Sequence, residues 1–192
     1  MIFHIGEMAR YLVQAPPDSI HTDEKSTHSL EIMYGMGMAG PVWKAFRERF
    51  GVKWIVEYYG ATEGTTLISY SHQSPDGEVG KVAHWGPIMR HLHDIFYIIR
   101  VDRETGEVVR DHETGFCVQA AFDEVGEAIN RIRAPLQLSH DYAGENGQSD
   151  TEKKMLRDVF EKGDLFVRLG DALLMVSTVN SDTSVWNQIT AE

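Results

Sequence analysis

One run of residues, WIVEYYGATEGT (Trp54 to Thr65), constrains this chain more than any other. Its first half reads as a buried strand. Its second half places an aromatic ring, two glycines, two hydroxyls and one carboxylate within seven residues. A strand that delivers a glycine-bounded polar loop at its C-terminal end is the arrangement of open α/β sheets, which bind ligands there. Gly60 and Gly64 let backbone N–H groups approach a phosphate closely, and the hydroxyls of Thr62 and Thr65 add donors to its oxygens. Glu63 is a hard oxygen ligand of the kind that holds magnesium beside substrate phosphates. Tyr59 can stack its ring on a base. The residues alone leave a second reading open, a turn after a buried strand with Glu63 solvated.

Helical and strand periods alternate through the first half. Ile2, Ile5, Met8 and Leu12 recur at helical spacing and stop before Pro16-Pro17, which predicts an amphipathic helix. The polar stretch 19–29 predicts a loop. A second helix is expected to open at Pro41, to carry Trp43, Phe46 and Phe50 as its apolar stripe, and to end at Gly51. RERF (Arg47 to Phe50) reads as its solvated face.

The second half changes character. DIFYIIRVD (Asp94 to Asp102), the RETG turn, EVVRD, FCVQA and EAINRI are short and rich in β-branched residues, and turn residues separate them. They predict an antiparallel sheet or barrel. The stretch 139–150 predicts a surface loop, and TEKKMLRDVFEK a helix capped by Thr151. LFVRLGDALLMV predicts a strand pair turned at Gly170-Asp171. No internal repeat is read from the chain.

At 192 residues, with 42% hydrophobic and 10% aromatic content, the chain can bury one substantial core. Eighteen basic against 29 acidic residues give a net charge of −11, which argues against a nonspecific grip on nucleic acid or anionic membrane. Small or neutral partners are expected. Cys117 is the sole cysteine, so no disulfide can form within the chain; this suits an intracellular, reducing compartment. Within FCVQA it reads as a packed strand residue. No stretch approaches the roughly 18–20 apolar residues of a membrane helix. MIFHIGEMARYL has no basic leader with an unbroken apolar segment, so a soluble or peripheral chain is expected.

The run GMGMAGPVWKAFRERFGVKWIVEYYGATEGT (Gly35 to Thr65) strongly resembles the ANL superfamily of adenylate-forming enzymes. Within it, the match is to the branch of very-long-chain acyl-CoA synthetases and fatty acid transport proteins. IGEMARYL (Ile5 to Leu12), TGEVVRDHETGFCVQA with GEAINRI (Thr105 to Ile132), and TEKKMLRDVFEKGDLFVRLGD (Thr151 to Asp171) support that branch. The resemblance runs from about Phe3 to Met175. It implies an α/β fold: a partial ANL N-terminal (adenylation) domain over 1–176, with a mixed sheet and flanking helices followed by a small antiparallel sheet or barrel. Residues 177–192 no longer resemble the family and read as a divergent tail.

The same resemblance implies site residues. Gly35, Met36 and Gly37 would line the adenine pocket, and Tyr59 would stack on the base. Gly60 and Ala61 would complete the nucleotide-binding turn. Thr62 would touch the α-phosphate and Glu63 would bind Mg2+, the two forming the catalytic pair. Asp171 would take the ribose hydroxyls, although Leu169 stands where the family usually has threonine. Ile5, Met8, Met36, Met38 and Ile68 are candidates for an acyl trench, with core filling as the plainer reading.

The implied function is a fragment of an ATP-dependent long- or very-long-chain fatty acid–CoA ligase. It would use ATP/AMP, Mg2+ and coenzyme A at the periphery of peroxisomal, endoplasmic reticulum or lipid-droplet membranes. A non-catalytic nucleotide- or lipid-binding remnant, or a truncated gene product, is the alternative. The family's upstream phosphate loop and its C-terminal domain with the catalytic lysine are not found in the sequence. The isolated chain is therefore expected to make no acyl-CoA and to self-associate. His91 and His93 in HLHD would share one face of a strand, where plain placement is commoner than metal ligation. Ser71 with His72 lacks an acid partner for a hydrolase triad.

Overall fold

The computed structural model describes residues 1–16, 28–60, 81–85, 92, 94–132, 147–177 and 184–188. They fall into two units, Met1–Tyr59 with Ile68–His84, and Gly60–Leu67 with Trp85–Glu192. Strand β4 (Lys81–Trp85) contains the third of their sequence boundaries, between His84 and Trp85.

The first unit is built on a parallel sheet in the order β1 (Ile2–Ile5), β2 (Ile32–Met36), β3 (Trp54–Glu57). Helix α1 (Gly6–Gln14) follows β1, and α2 (Gly40–Phe50) connects β2 to β3. Their shared core is Ala9, Met33, Met38, Trp43, Phe46, Val52 and Ile55. Helix α2 forms as its sequence signals require. Pro41 sits in the first turn, where a missing N–H costs no hydrogen bond, and Gly51 adopts φ 64° and donates its N–H to Arg47 O at 2.9 Å.

Three expectations change here. The helix predicted from Ile2 begins only at Gly6, because Ile2–Ile5 pairs in parallel with Met33–Met36. The stripe Ile2, Ile5, Met8 and Leu12 is exposed, and α1 buries Gly6 and Ala9 instead. Small residues let this helix approach its neighbours closely. Arg49 is not simply solvated: its Nη1 donates to Leu12 O (3.0 Å), Val13 O (2.9 Å) and Ala15 O (2.6 Å). These are the carbonyls that the end of α1 leaves without helical partners.

The second unit is antiparallel. Strands β5 (Phe96–Ile99), β6 (Val125–Arg131), β8 (Leu165–Ser177) and β9 (Ser184–Gln188) lie side by side, and β7 (Met155–Arg157) pairs with the first residues of β8. Its core joins Ile99, Cys117, Ile129, Val159 and Phe166. Cys117 is thus a packed residue, as expected. EVVRD and FCVQA contribute single bridges, Val101 to Val108, Arg110 to Cys117 and Ile99 to Gln119, rather than full strands.

The turns between those bridges repeat. Asp102 and Asp111 each open a D-x-E-T-G turn nine residues apart. Asp102 Oδ1 accepts the N–H groups of Glu104 (2.9 Å) and Thr105 (2.9 Å), and Asp111 Oδ1 those of Glu113 (3.0 Å) and Thr114 (2.8 Å). Gly106 and Gly115 follow at φ 71° and 75°. The short duplication escapes a search for longer periods.

The helix expected over TEKKMLRDVFEK is displaced. Helix α3 covers Gly147–Lys154, so its first turn occupies part of the predicted 139–150 loop. Thr151 lies inside it, its hydroxyl donating to Gly147 O at 2.8 Å, and is no cap. The chain then extends as β7. It turns where Asp164 accepts the N–H groups of Val159 (2.6 Å), Phe160 (2.9 Å) and Glu161 (3.1 Å). Gly170-Asp171 is not a hairpin turn either. β8 continues through it with a bulge: Arg168 faces Ile129 and Ala172 faces Glu127, so β8 carries three intervening residues against one on β6. Gly170 at φ 80° absorbs the excess without reversing the chain.

Candidate nucleotide site

Gly35 and Met36 end β2, and Gly37 takes the left-handed conformation (φ 73°) that starts the connection to α2. Three contacts fix this loop. Met38 N–H donates to Glu57 Oε1 at 3.2 Å, and Tyr58 N–H donates to Gly35 O at 2.9 Å. A Cβ on Gly6 would lie 1.8 Å from Gly37 O, so only glycine at the head of α1 permits this approach. The loop is nevertheless open on one side, because a Cβ on Gly37 would meet nothing within 4 Å. A flat base could approach the backbone there without a side chain in the way.

β3 ends beside β2, its Glu57 in register with Gly35. Tyr59 follows and is buried, while Tyr58 stacks on Tyr34 with centroids 5.1 Å apart and planes 21° from parallel. Gly35, Met36, Gly37 and Tyr59 are therefore gathered at the C-terminal ends of β2 and β3, with Gly60 next in the chain. Asp171 lies in the second unit, half-buried in the β8 bulge. Ala61, Thr62 and Glu63 lie outside the described residues, as do Ile68, His91, His93, Ser71 and His72. Of the trench candidates, Met38 is core, Met36 is half-buried, and Ile5 and Met8 are exposed.

Sequence reasoning missed the most unusual pair in this region. His4 and Glu57 are both only 5% exposed, and Nε2 of one lies 3.6 Å from Oε1 of the other. Burial lowers the His4 pKa and raises that of Glu57 to about 8, so at neutral pH burial favours an uncharged imidazole beside a protonated carboxyl group. Neither residue is among the site candidates, although Glu57 lies within the WIVEYYGATEGT run. The only signal was a charged residue, Glu57, inside an otherwise apolar strand.

Among the described residues, no three His, Cys, Asp or Glu side chains are placed to hold a metal ion. No helix among them is long and apolar enough to cross a membrane.

The model of the AMP-binding enzyme family matches residues 1–118, more than half of the chain. The chain belongs to that family. It is 38% identical to long-chain fatty acid transport protein 2 of Rattus norvegicus over 182 residues, 94% of the chain and 27% of the relative. It is 33% identical to the isopenicillin N epimerase component 1 of Hapsidospora chrysogena, covering 88% of the chain and 27% of that protein. The very long-chain fatty acid transport protein of Saccharomyces cerevisiae matches at 33% over 90% of the chain and 25% of its own length. The chain thus spans about a quarter of the length of these relatives.

The fold agrees. An NRPS protein containing adenylation and PCP domains superimposes with a TM-score of 0.54 at 16% identity, over 98% of the chain and 32% of the other. A benzoate CoA ligase from Burkholderia xenovorans gives 0.52 at 15%, over 97% and 30%. The chain therefore has the α/β architecture of part of an adenylation domain, a parallel sheet with helices followed by a small antiparallel sheet, as the resemblance implied.

Proposed function

We propose that this chain carries part of the nucleotide site of an ATP-dependent long- or very-long-chain fatty acid–CoA ligase. Such an enzyme joins a fatty acid carboxylate to AMP with release of pyrophosphate and then passes the acyl group to coenzyme A. The observation that carries this reading is the adjacency of two loops: the Gly35–Gly37 turn and the YGATEGT segment leave neighbouring parallel strands at the edge where α/β sheets bind ligands. The relatives named as fatty acid transport proteins supply the substrate class.

In this reading Gly35, Met36 and Gly37 line the base, Tyr59 stacks on it, and Gly60 and Ala61 form the turn. Thr62 donates to the α-phosphate, and Glu63 holds Mg2+. Asp171 accepts from the ribose hydroxyls. The open backbone at Gly37 leaves room for a base. Mg2+ would neutralise charge as the α-phosphorus is attacked, so catalysis is chiefly positioning and electrostatics. Residues 1–176 form the adenylation segment, and 177–192 diverge from the family although 184–188 pair with β8. The setting is intracellular, at a membrane periphery.

Binding rather than turnover is the proper test, since the chain spans a quarter of its relatives' length. ATP is titrated calorimetrically into the wild type and Glu63→Gln, with and without Mg2+. The amide should lose the Mg2+-dependent gain in affinity, by about tenfold or more, and leave metal-free binding unchanged. Equal affinity in all four titrations would remove Glu63 from the site.

A further inference from the structure

His4, Gly35 and Glu57 are register partners on β1, β2 and β3, and so form one row across the sheet. Register partners project to the same face, and neighbouring strands lie about 4.8 Å apart, so side chains on the two outer strands meet only across the middle one. Gly35 makes that possible. A methyl group on it would stand 2.6 Å from the His4 ring and 2.0 Å from His4 O. With that space empty, the imidazole and the Glu57 carboxyl group approach to 3.6 Å. The same carboxyl oxygen receives the Met38 N–H at 3.2 Å, and the Gly37 N–H also faces the group.

We propose that Glu57 is a positioning residue for the nucleotide loop: reaching past the vacant side-chain position of Gly35, its carboxyl group fixes the backbone of Gly37–Met38 in the conformation that receives the base. The proposal rests on the nucleotide-site reading above and adds a residue to it. An aliphatic side chain would fill this buried volume without the cost of desolvating a carboxyl group. What an aliphatic chain cannot supply is a fixed acceptor for the amides of a loop that opens toward the ligand. A loop already ordered in the free protein loses less freedom when the base binds.

Two variants of the full chain separate positioning from mere filling. Glu57→Gln keeps an acceptor oxygen, and Glu57→Leu keeps the bulk without one. Three readouts apply: amide hydrogen exchange at Met38 without ligand, thermal unfolding, and ATP affinity by calorimetry. Gln should retain Met38 protection and bind ATP within about threefold of wild type. Leu should unfold at no lower temperature yet lose Met38 protection and bind about tenfold more weakly, the loss of one buried hydrogen bond. Should Leu fail to fold, the more adaptable Glu57→Met repeats the comparison.

The proposal is overturned if an aliphatic variant keeps both Met38 protection and ATP affinity, or if Gln loses as much as Leu. If the wild type binds no ATP, the ligase reading fails. The exchange contrast at Met38 then still decides whether Glu57 holds the loop.

Discussion

Gly35 and Gly37 are two residues apart and are glycines for different physical reasons. Gly37 needs a left-handed backbone, with free space where a side chain would go. Gly35 needs room, because the His4 ring and carbonyl occupy its Cβ position. Gly37→Ala should therefore cost about 1–2 kcal/mol of backbone strain, whereas Gly35→Ala should cost more, about 3 kcal/mol, by forcing β1 away. Urea unfolding midpoints should rank wild type, Gly37→Ala, Gly35→Ala in falling order, and a reversed order would contradict this packing. The pH dependence of Glu57 follows from its burial. A carboxyl group raised from 4.5 to about 8 binds more protons in the folded state than in the unfolded one. Its contribution is full below about pH 4.5 and is lost as pH rises through about 8. His4, with its pKa lowered, acts oppositely, its contribution present above 6.5 and lost on acidification. Between pH 6 and 9 the wild type should lose roughly 3 kcal/mol of unfolding free energy, and Glu57→Gln should flatten that slope. Parallel slopes in denaturant melts across this range would show that Glu57 ionises freely in the folded protein.

Elements were legible where their signals are local. Helix α2 matched its sequence because Pro41, the Trp43–Phe46 stripe and Gly51 each act within one turn of the chain. Elements defined by partners were not. Ile2–Ile5 becomes a strand through pairing with β2, which overrides a helical spacing shared by chance with α1, and IMYGM carries too short a pattern to announce β2 itself. Likewise Met155–Arg157 leaves the helical period to pair with β8. In the site, residue types and their spacing pointed to the YGATEGT segment and the family resemblance to the Gly35–Gly37 loop, while the pairing of His4 with Glu57 depends on strand register, which the sequence does not carry. Asp164 shows the same dependence: it accepts from three consecutive amides and so closes the turn between β7 and β8. Asp164→Ala should leave those donors unpaired and cost about 2–3 kcal/mol, while Asp164→Asn should recover part of it. Equal unfolding midpoints for wild type and the alanine variant would show that water replaces the carboxylate without loss.

At the scale of the whole molecule, the surface of the first unit is incompletely covered. Among the described residues β1 pairs with β2 alone, and Phe3 and Ile5 on it are 66% and 65% exposed, with Tyr11 and Leu12 of α1 also exposed. Parallel sheets are normally covered on both faces, and an apolar edge strand is a template for association. Opposing this, a net charge of −11 drives copies apart. The two forces respond differently to salt. Raising ionic strength to about 0.5 M shortens the screening length to a few ångströms and weakens the repulsion, while apolar contact persists. Self-association should therefore strengthen with salt, and the Phe3→Ser, Ile5→Ser double substitution should abolish it without changing the nucleotide loop. Sizing chromatography coupled to light scattering at low and high salt measures both. A monomer under both conditions, or a double variant that associates like the wild type, would show that this face does not drive assembly; association that weakens with salt would assign it to ion pairs instead.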